Sequence, residues 1–384
     1  MAQDNSLKTR VRSAAFAFRG YNVTNLGRSA ELLQHHAYGP VVAELLRAVS
    51  EMCADSIGEK VDLAERIRRQ EESTLDSFAQ DMAMIAAMEL AQIRLLEQFF
   101  DIRWTDARMV FGYSLGEVIA LVASGVYQLQ HILPVPMKLA ADCADLARDM
   151  TMGILFSRGP AVDLDAVRRL CLEINALGRG VIGISTYLSP NTVLLMGQGD
   201  TVDQFEARMG ESLPKGVHLR RNKHKWPPLH TPILWERNIP NRAAVMMHSV
   251  PGGFKKPHPA ILSCVTGKAS YNEYNSRELL NRWIDHPQRL WDVVCGTLAA
   301  GVETVVNVGP EPNLVPATFR RLSDNVTAQL NRRSLNSLGM RAMSGIVRRR
   351  TWLNSIISER AVLLRAPFVQ HISLEDWLLA QEVP

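Results

Sequence analysis

"MVFGYSLGEVIALVASGVY", residues 109–127, decides the fold. The apolar run of Met109-Val110-Phe111 leads into Gly112-Tyr113-Ser114-Leu115-Gly116, and an Ala- and Val-rich helical pattern follows. A strand, a tight turn with a serine between two glycines, then a helix is the pattern of a nucleophile elbow. The strained turn leaves no room for side chains beside the serine, hence the glycines. It sets Ser114 at the N-terminus of the next helix, where the Leu115 N–H and the positive end of the helix dipole stabilise an oxyanion. An inert serine in a tight strand–helix turn gives the same pattern.

Working outward, "SAAFAF" (13–18) reads as a buried strand ending in a turn at Arg19-Gly20-Tyr21-Asn22. Residues 41–53 and 78–100 carry apolar positions at three- and four-residue spacing and read as helices. Strands alternating with helices predict an α/β fold: a large α/β-hydrolase-like subdomain with a mostly parallel sheet. From 151 to 222 the pattern changes. Strands at 152–159, within 181–199 and at 216–222 are separated by helices at 163–177 and 200–213. That β-α-β-β-α-β order predicts an inserted ferredoxin-like small subdomain. The chain divides accordingly into 1–150 and 223–334 for the large subdomain, 151–222 for the small one, and 335–384 as a C-terminal extension with no evident place.

The 384 residues are 47% hydrophobic and 21% charged, with a net charge of +4. This is the profile of a globular enzyme, far from a nucleic-acid signature. Five scattered cysteines form no CxxC pair and no His/Cys cluster, so neither a metal site nor a disulfide framework is expected. The N-terminus lacks a signal-peptide pattern and no apolar run is long enough to span a bilayer, which predicts a soluble cytoplasmic protein.

A serine hydroxyl needs a base. Of ten histidines, His230 in "WPPLHTPIL" stands out, because the prolines on both sides fix its backbone. A loop histidine packed on Trp226 is the competing reading. His35-His36 read as helix-surface residues, and His218 and His224 as part of a basic strand edge.

Residues 112–127 closely resemble the Gly-His-Ser-Leu-Gly-Glu elbow of malonyl-CoA:acyl-carrier-protein transacylases and polyketide-synthase acyltransferase domains. The resemblance continues, in order, through "AFRGYN" (17–22), "FAQDM" (78–82), "YLSPNTVLLMG" (187–197), "PPLHTPIL" (227–234), "CVTGKA" (264–269), "ELLNRWIDHPQRLWD" (278–292) and "NVGPEPNL" (307–314), and covers roughly residues 13–322. It implies an acyltransferase with catalytic Ser114 and His230, acyl-CoA as donor, and the phosphopantetheine thiol of an acyl carrier protein as acceptor, with no bound cofactor. It implies an oxyanion hole of the Leu115 and Tyr21 amides, a histidine oriented by the main-chain carbonyl of Trp283, and Gln80 and Tyr113 among the substrate-binding residues.

Three departures from that pattern stand out. Tyr113 replaces the histidine before the nucleophile, and Tyr21 replaces a glutamine. Leu139, beside Lys138, stands where malonyl-using relatives place an arginine that clamps the free carboxylate. Either the acyl group is uncharged (acetyl or a longer chain) and Leu139 packs on it, or Pro134 and Pro136 shift the helix so that Lys138 or another cation serves.

"HLRRNKHKW" (218–226) gathers Arg220, Arg221, Lys223 and Lys225, either a surface for CoA phosphates and an acidic carrier or a solvated strand edge. Arg348-Arg349-Arg350 reads as the charged end of a capping helix or as a docking element. Two other classes stay open. One is an α/β-hydrolase esterase with Asp200 or Asp203 as its acid, with a serine–aspartate dyad as a variant. The other is a catalytically weak carrier-binding scaffold.

Overall fold

Every residue of the strand Ala14–Phe18 is buried, as a central parallel strand covered on both faces requires. Its side chains alternate: Ala14, Phe16 and Phe18 enter one core layer, Ala15 and Ala17 the other. Phe16 and Phe18 both meet the edge of Trp104. The computed structural model describes residues 6–158, 161–331 and 359–383.

Nine strands occur among the described residues: β1 (Ala14–Phe18), β2 (Met109–Gly112), β3 (Met150–Ser157), β4 (Ile182–Ser189), β5 (Thr192–Gln198), β6 (Val217–Asn222), β7 (Ile261–Leu262), β8 (Thr304–Val308) and β9 (Gln370–Ser373). Five form a sheet in the order β7-β2-β1-β8-β9, with every neighbouring pair parallel. The helix Phe78–Phe100 packs against this sheet and is buried over most of its length. Its "MAMIAAM" stretch (82–88) is core, where the small alanines permit close approach.

The other four strands form an antiparallel sheet, β4-β5-β3-β6. Helices Leu164–Asn175 and Thr201–Ser212 close a separate core around Leu155, Val167, Val193 and Phe205. This is the split βαβ arrangement. Residues of β4 then tie the small sheet to the large unit: Tyr187 N–H donates to the Gln288 carbonyl, and Gln288 N–H to the Ser185 carbonyl, both at 2.8 Å.

The C-terminal segment has a place that its sequence did not announce. β9 pairs with β8 at the sheet edge, and the helix Leu374–Ala380 buries Leu374 and Leu378 in the main core. Glu375 accepts from the Glu311 N–H at 2.9 Å and the Arg28 N–H at 3.1 Å. Residues 370–383 are therefore part of the large unit and not an appendage to it. Arg348-Arg349-Arg350 lies outside the described residues. Among the described residues no helix is long and apolar enough to cross a membrane, and no cluster of three metal-ligating side chains occurs.

Candidate active site

β2 delivers Ser114 at its C-terminal end, and the next residues begin the helix Leu115–Ala123. Ser114 holds φ +54° and ψ −120°, a conformation that costs a non-glycine residue about 1–3 kcal/mol. Close packing enforces it. A Cβ on Gly112 would lie 2.0 Å from the Gly116 carbonyl carbon, and one on Gly116 2.4 Å from the Phe18 carbonyl oxygen. The turn after β1 lies equally close: a Cβ on Gly20 would meet the Tyr113 carbonyl oxygen at 2.7 Å. Two neighbouring strand ends are thereby pressed together, and each contributes an amide.

Those amides are the N–H groups of Leu115 and Tyr21, and neither has a hydrogen-bond partner among the described residues. The turn carrying Tyr21 is held from behind by Arg19, which is fully buried. Its guanidinium donates to the Pro310 carbonyl, to Gly20 O at 2.9 Å and to Asn25 Oδ1 at 2.6 Å. Behind the elbow, Glu117 accepts from Tyr271 Oη at 2.8 Å and from the Cys264 N–H at 2.9 Å. Burial raises its carboxyl to a pKa of about 7.

The histidine that faces Ser114 comes from the loop after β6. Ser114 Oγ lies 2.7 Å from His230 Nε2, and His230 Nδ1 lies 2.6 Å from the Trp283 carbonyl oxygen. A carbonyl only accepts, so Nδ1 carries the proton and Nε2 is left to accept from the serine. Burial pushes the imidazole pKa down to about 4, partly offset by the Trp283 carbonyl and by Asp285. The imidazole is neutral at pH 7, the state in which a histidine can accept a proton. His230 also holds a left-handed backbone, φ +66°, pinned by its own N–H to the Ile284 carbonyl at 2.7 Å.

A cleft of about 390 Å³ opens over this pair. Tyr21, Phe78 and Tyr113 wall it from the large unit; Ile154, Leu194 and Met196 wall it from the small one. Tyr113 Oη is anchored to Thr186 Oγ1 at 3.0 Å, and burial raises its pKa to about 12. Beyond Phe78 and Leu229 lies a second, wholly apolar cavity whose wall includes Leu139.

Two residues expected at the substrate lie elsewhere. Gln80 does not line the cleft; its amide donates to Glu59 at 2.7 Å. Two helical positions turn a side chain by about 200°, so Phe78 faces the cleft and Gln80 faces away. Lys138 is exposed on the helix Pro134–Arg148, with Leu139 turned inward. Asp200 accepts from Gln204 and Asp203 pairs with Arg221, so neither serves His230. The basic edge is partly spent: Arg221 also pairs with Glu206, and Lys225 donates to the Met150 carbonyl.

Sequence reasoning missed two residues here, Gln288 and Arg321, and one side-chain contact of Trp283. Gln288, fully buried, accepts from the Ser114 N–H at 3.3 Å and sets its amide nitrogen 3.2 Å from His230 Nδ1. It lay inside a quoted motif, but nothing in "DHPQRLWD" says that its side chain turns inward. Trp283 adds its indole: Nε1 donates to the Ser114 carbonyl at 2.9 Å. Arg321, from the helix Leu314–Asn331, lines the outer cleft and has no partner among the described residues.

A strained serine at a parallel-strand terminus, a histidine oriented by a main-chain carbonyl, and an inserted antiparallel sheet define an α/β protein with a serine–histidine centre. Its fold is that of the malonyl-CoA:acyl-carrier-protein transacylases and polyketide-synthase acyltransferase domains. The malonyl-CoA:acyl carrier protein transacylase of Xanthomonas oryzae aligns with TM-score 0.62 and 20% identity, over 81% of this chain and 91% of that one. The acyltransferase domain from module 8 of the salinomycin polyketide synthase aligns with TM-score 0.64 and 19% identity, over 83% and 69%. In sequence, the mycoketide-CoA synthase of Mycobacterium tuberculosis is 26% identical over 326 residues, 82% of this chain and 7% of that protein. Polyketide synthase GfsA of Streptomyces halstedii is 24% identical over 303 residues, 77% and 4%. The chain thus spans a small fraction of the curated relatives it matches. No protein-family model matches it.

Proposed function

We propose that the protein is an acyltransferase working through an acyl-serine. Ser114 Oγ attacks the thioester carbonyl of an acyl-CoA while His230 Nε2 takes its proton. The amides of Leu115 and Tyr21 receive the oxyanion. Collapse breaks the carbon–sulfur bond, and the departing CoA sulfur takes the proton back from His230. In the second half the phosphopantetheine thiol of an acyl carrier protein gives its proton to His230 and attacks the acyl-serine; the ester carbon–oxygen bond breaks, and Ser114 Oγ takes the proton back from His230. Acyl-CoA and acyl carrier protein are the partners of this reading, in cytoplasmic fatty-acid or polyketide synthesis.

The observation that carries it is the 2.7 Å and 2.6 Å relay from Ser114 through His230 to the Trp283 carbonyl, beside two amides without partners. The outer cleft runs toward Arg321, which suits the phosphate that CoA and a carrier-borne phosphopantetheine share. The test is transfer of a labelled acyl group from CoA to a carrier protein bearing its phosphopantetheine. Ser114→Ala should abolish the acyl-enzyme, and His230→Ala should slow its formation by about 10²–10⁴-fold. Transfer that survives both substitutions would overturn the reading.

A further inference from the structure

We propose that the acyl group carried by Ser114 is short, uncharged and apolar, and that it is housed in the cavity behind Phe78 and Leu229. The proposal rests on the acyl-transfer reading and names its substrate class. The cavity adjoins the Ser114 cleft: Phe78 and Leu229 belong to the walls of both. Trp283, whose carbonyl orients His230, forms part of the same wall.

The lining decides the chemistry. Val118, Val135, Leu139, Met247 and Leu280 are typical of it, and among the described residues no charged side chain takes part. Its one ionisable group is the Cys143 thiol, which burial holds neutral. Among the described residues no cation lines this cavity; Arg321, which has no partner among them, belongs to the outer Ser114 cleft. Lys138 points to solvent, and Arg66 is paired with Asp81 at 2.6 Å and lines neither cavity. Asp285 is close enough to act on His230, and its charge would repel a second carboxylate. A malonyl carboxylate entering this space would lose its water and find no partner, which is strongly unfavourable. A hydrocarbon gains about fourfold in affinity for each methylene buried.

Size bounds the chain length. The cavity volume is about 30 Å³, room for about two solvent-sized groups. On that volume the expected optimum is a propionyl or butyryl chain, with acetyl too short to reach the cavity and octanoyl too long for it.

The test is the rate of acyl-enzyme formation, read by intact-protein mass, with acetyl-, propionyl-, butyryl-, octanoyl- and malonyl-CoA in parallel and Ser114→Ala as control. Expected is a maximum at propionyl or butyryl, with malonyl on the order of 100-fold slower. A malonyl rate equal to or above butyryl, or a flat profile, overturns the proposal and leaves acyl transfer intact. A protein that forms no serine adduct with any donor overturns the acyl-transfer reading, and this proposal with it. Two variants sharpen the result. Leu139→Arg should raise malonyl loading relative to butyryl. Val135→Phe, an apolar filling that avoids a buried charge, should move the maximum to acetyl. An unchanged chain-length profile in a folded Val135→Phe protein, judged by its thermal transition, also overturns the proposal.

Discussion

Trp283 grips Ser114 and His230 at once: its indole Nε1 donates to the Ser114 carbonyl at 2.9 Å, and its own carbonyl accepts from His230 Nδ1 at 2.6 Å. The turn of Ser114 and the imidazole of His230 are thereby fixed to one residue of the helix Ser276–Asp285. The indole and the imidazole also meet nearly at right angles, ring centres 5.1 Å apart. This leaves no call for a carboxylate at the third position.

Trp283→Phe keeps the main-chain acceptor for His230 and removes the indole donor. The Ser114 carbonyl is then left buried without that partner, a loss of about 1–3 kcal/mol. Denaturant unfolding should show a fall of that size. Acyl-enzyme formation should slow by about 10-fold, with the pH dependence unmoved because the imidazole keeps its proton acceptor. A shift of the acid limb in this variant would mean that the indole, not the carbonyl, governs the base.

The pH dependence of kcat/KM reports the base in the free enzyme. With the His230 pKa pushed down to about 4, activity should hold as pH falls through 6.5 and halve near 4. An unburied histidine would give a half-point near 6.5. Stability follows the same group. Between about 6.5 and 4 the unfolded chain binds the proton that the folded one excludes, so this group's contribution is full above 6.5 and lost as pH falls toward 4. His230→Gln removes that contribution. The stability difference between wild type and variant, measured at pH 7 and pH 5, should therefore shrink at the lower pH.

Gln288 joins three parts of the molecule. Its main chain bridges β4, and its side chain accepts from the Ser114 N–H beside His230. Gln288→Leu keeps the volume and strands a buried N–H, which costs about 1–3 kcal/mol. Acyl-enzyme formation should fall by about 10-fold while KM for the thioester changes little, since the residue lines neither cavity. Paired kcat and KM measurements check the split.

The elbow turn, the histidine that meets its serine and the sheet class were legible because each has a local signature. Gly112 and Gly116 must be glycine for two backbones to touch, and the prolines around His230 announce a fixed turn. The small sheet was legible from its alternation of strands and helices. What stayed hidden depends on non-local geometry. β9 is four residues of unremarkable sequence that become a strand only by meeting β8. The inward turn of Gln288 follows from a bridge to Thr186, about a hundred residues away in the chain. Gln80 fell on the wrong face because a motif match fixes neither the start nor the phase of a helix. Leu139 and Lys138 are adjacent and face opposite ways, a distinction that the helix period made and the sequence alone left open.

Arg321 supplies the last expectation. It stands at the outer end of the cleft, on the helix Leu314–Asn331, without a partner among the described residues. A second groove lined by Asn191, Trp291 and Thr318 continues from the same arginine. Guanidinium and phosphate match as a planar fork and an oxyanion, and exposure to solvent limits their pairing to about 1 kcal/mol. Arg321→Glu reverses the charge, so KM for an acyl-CoA should rise by about 10-fold while kcat changes little. Salt should narrow the gap between wild type and variant, because screening weakens the attraction in one and the repulsion in the other. An acyl donor that keeps the thioester but lacks every phosphate, such as an acyl N-acetylcysteamine, should not distinguish the two proteins. Equal KM values for acyl-CoA, or a difference that persists with the phosphate-free donor, would place the phosphate elsewhere and leave Arg321 as a surface cation.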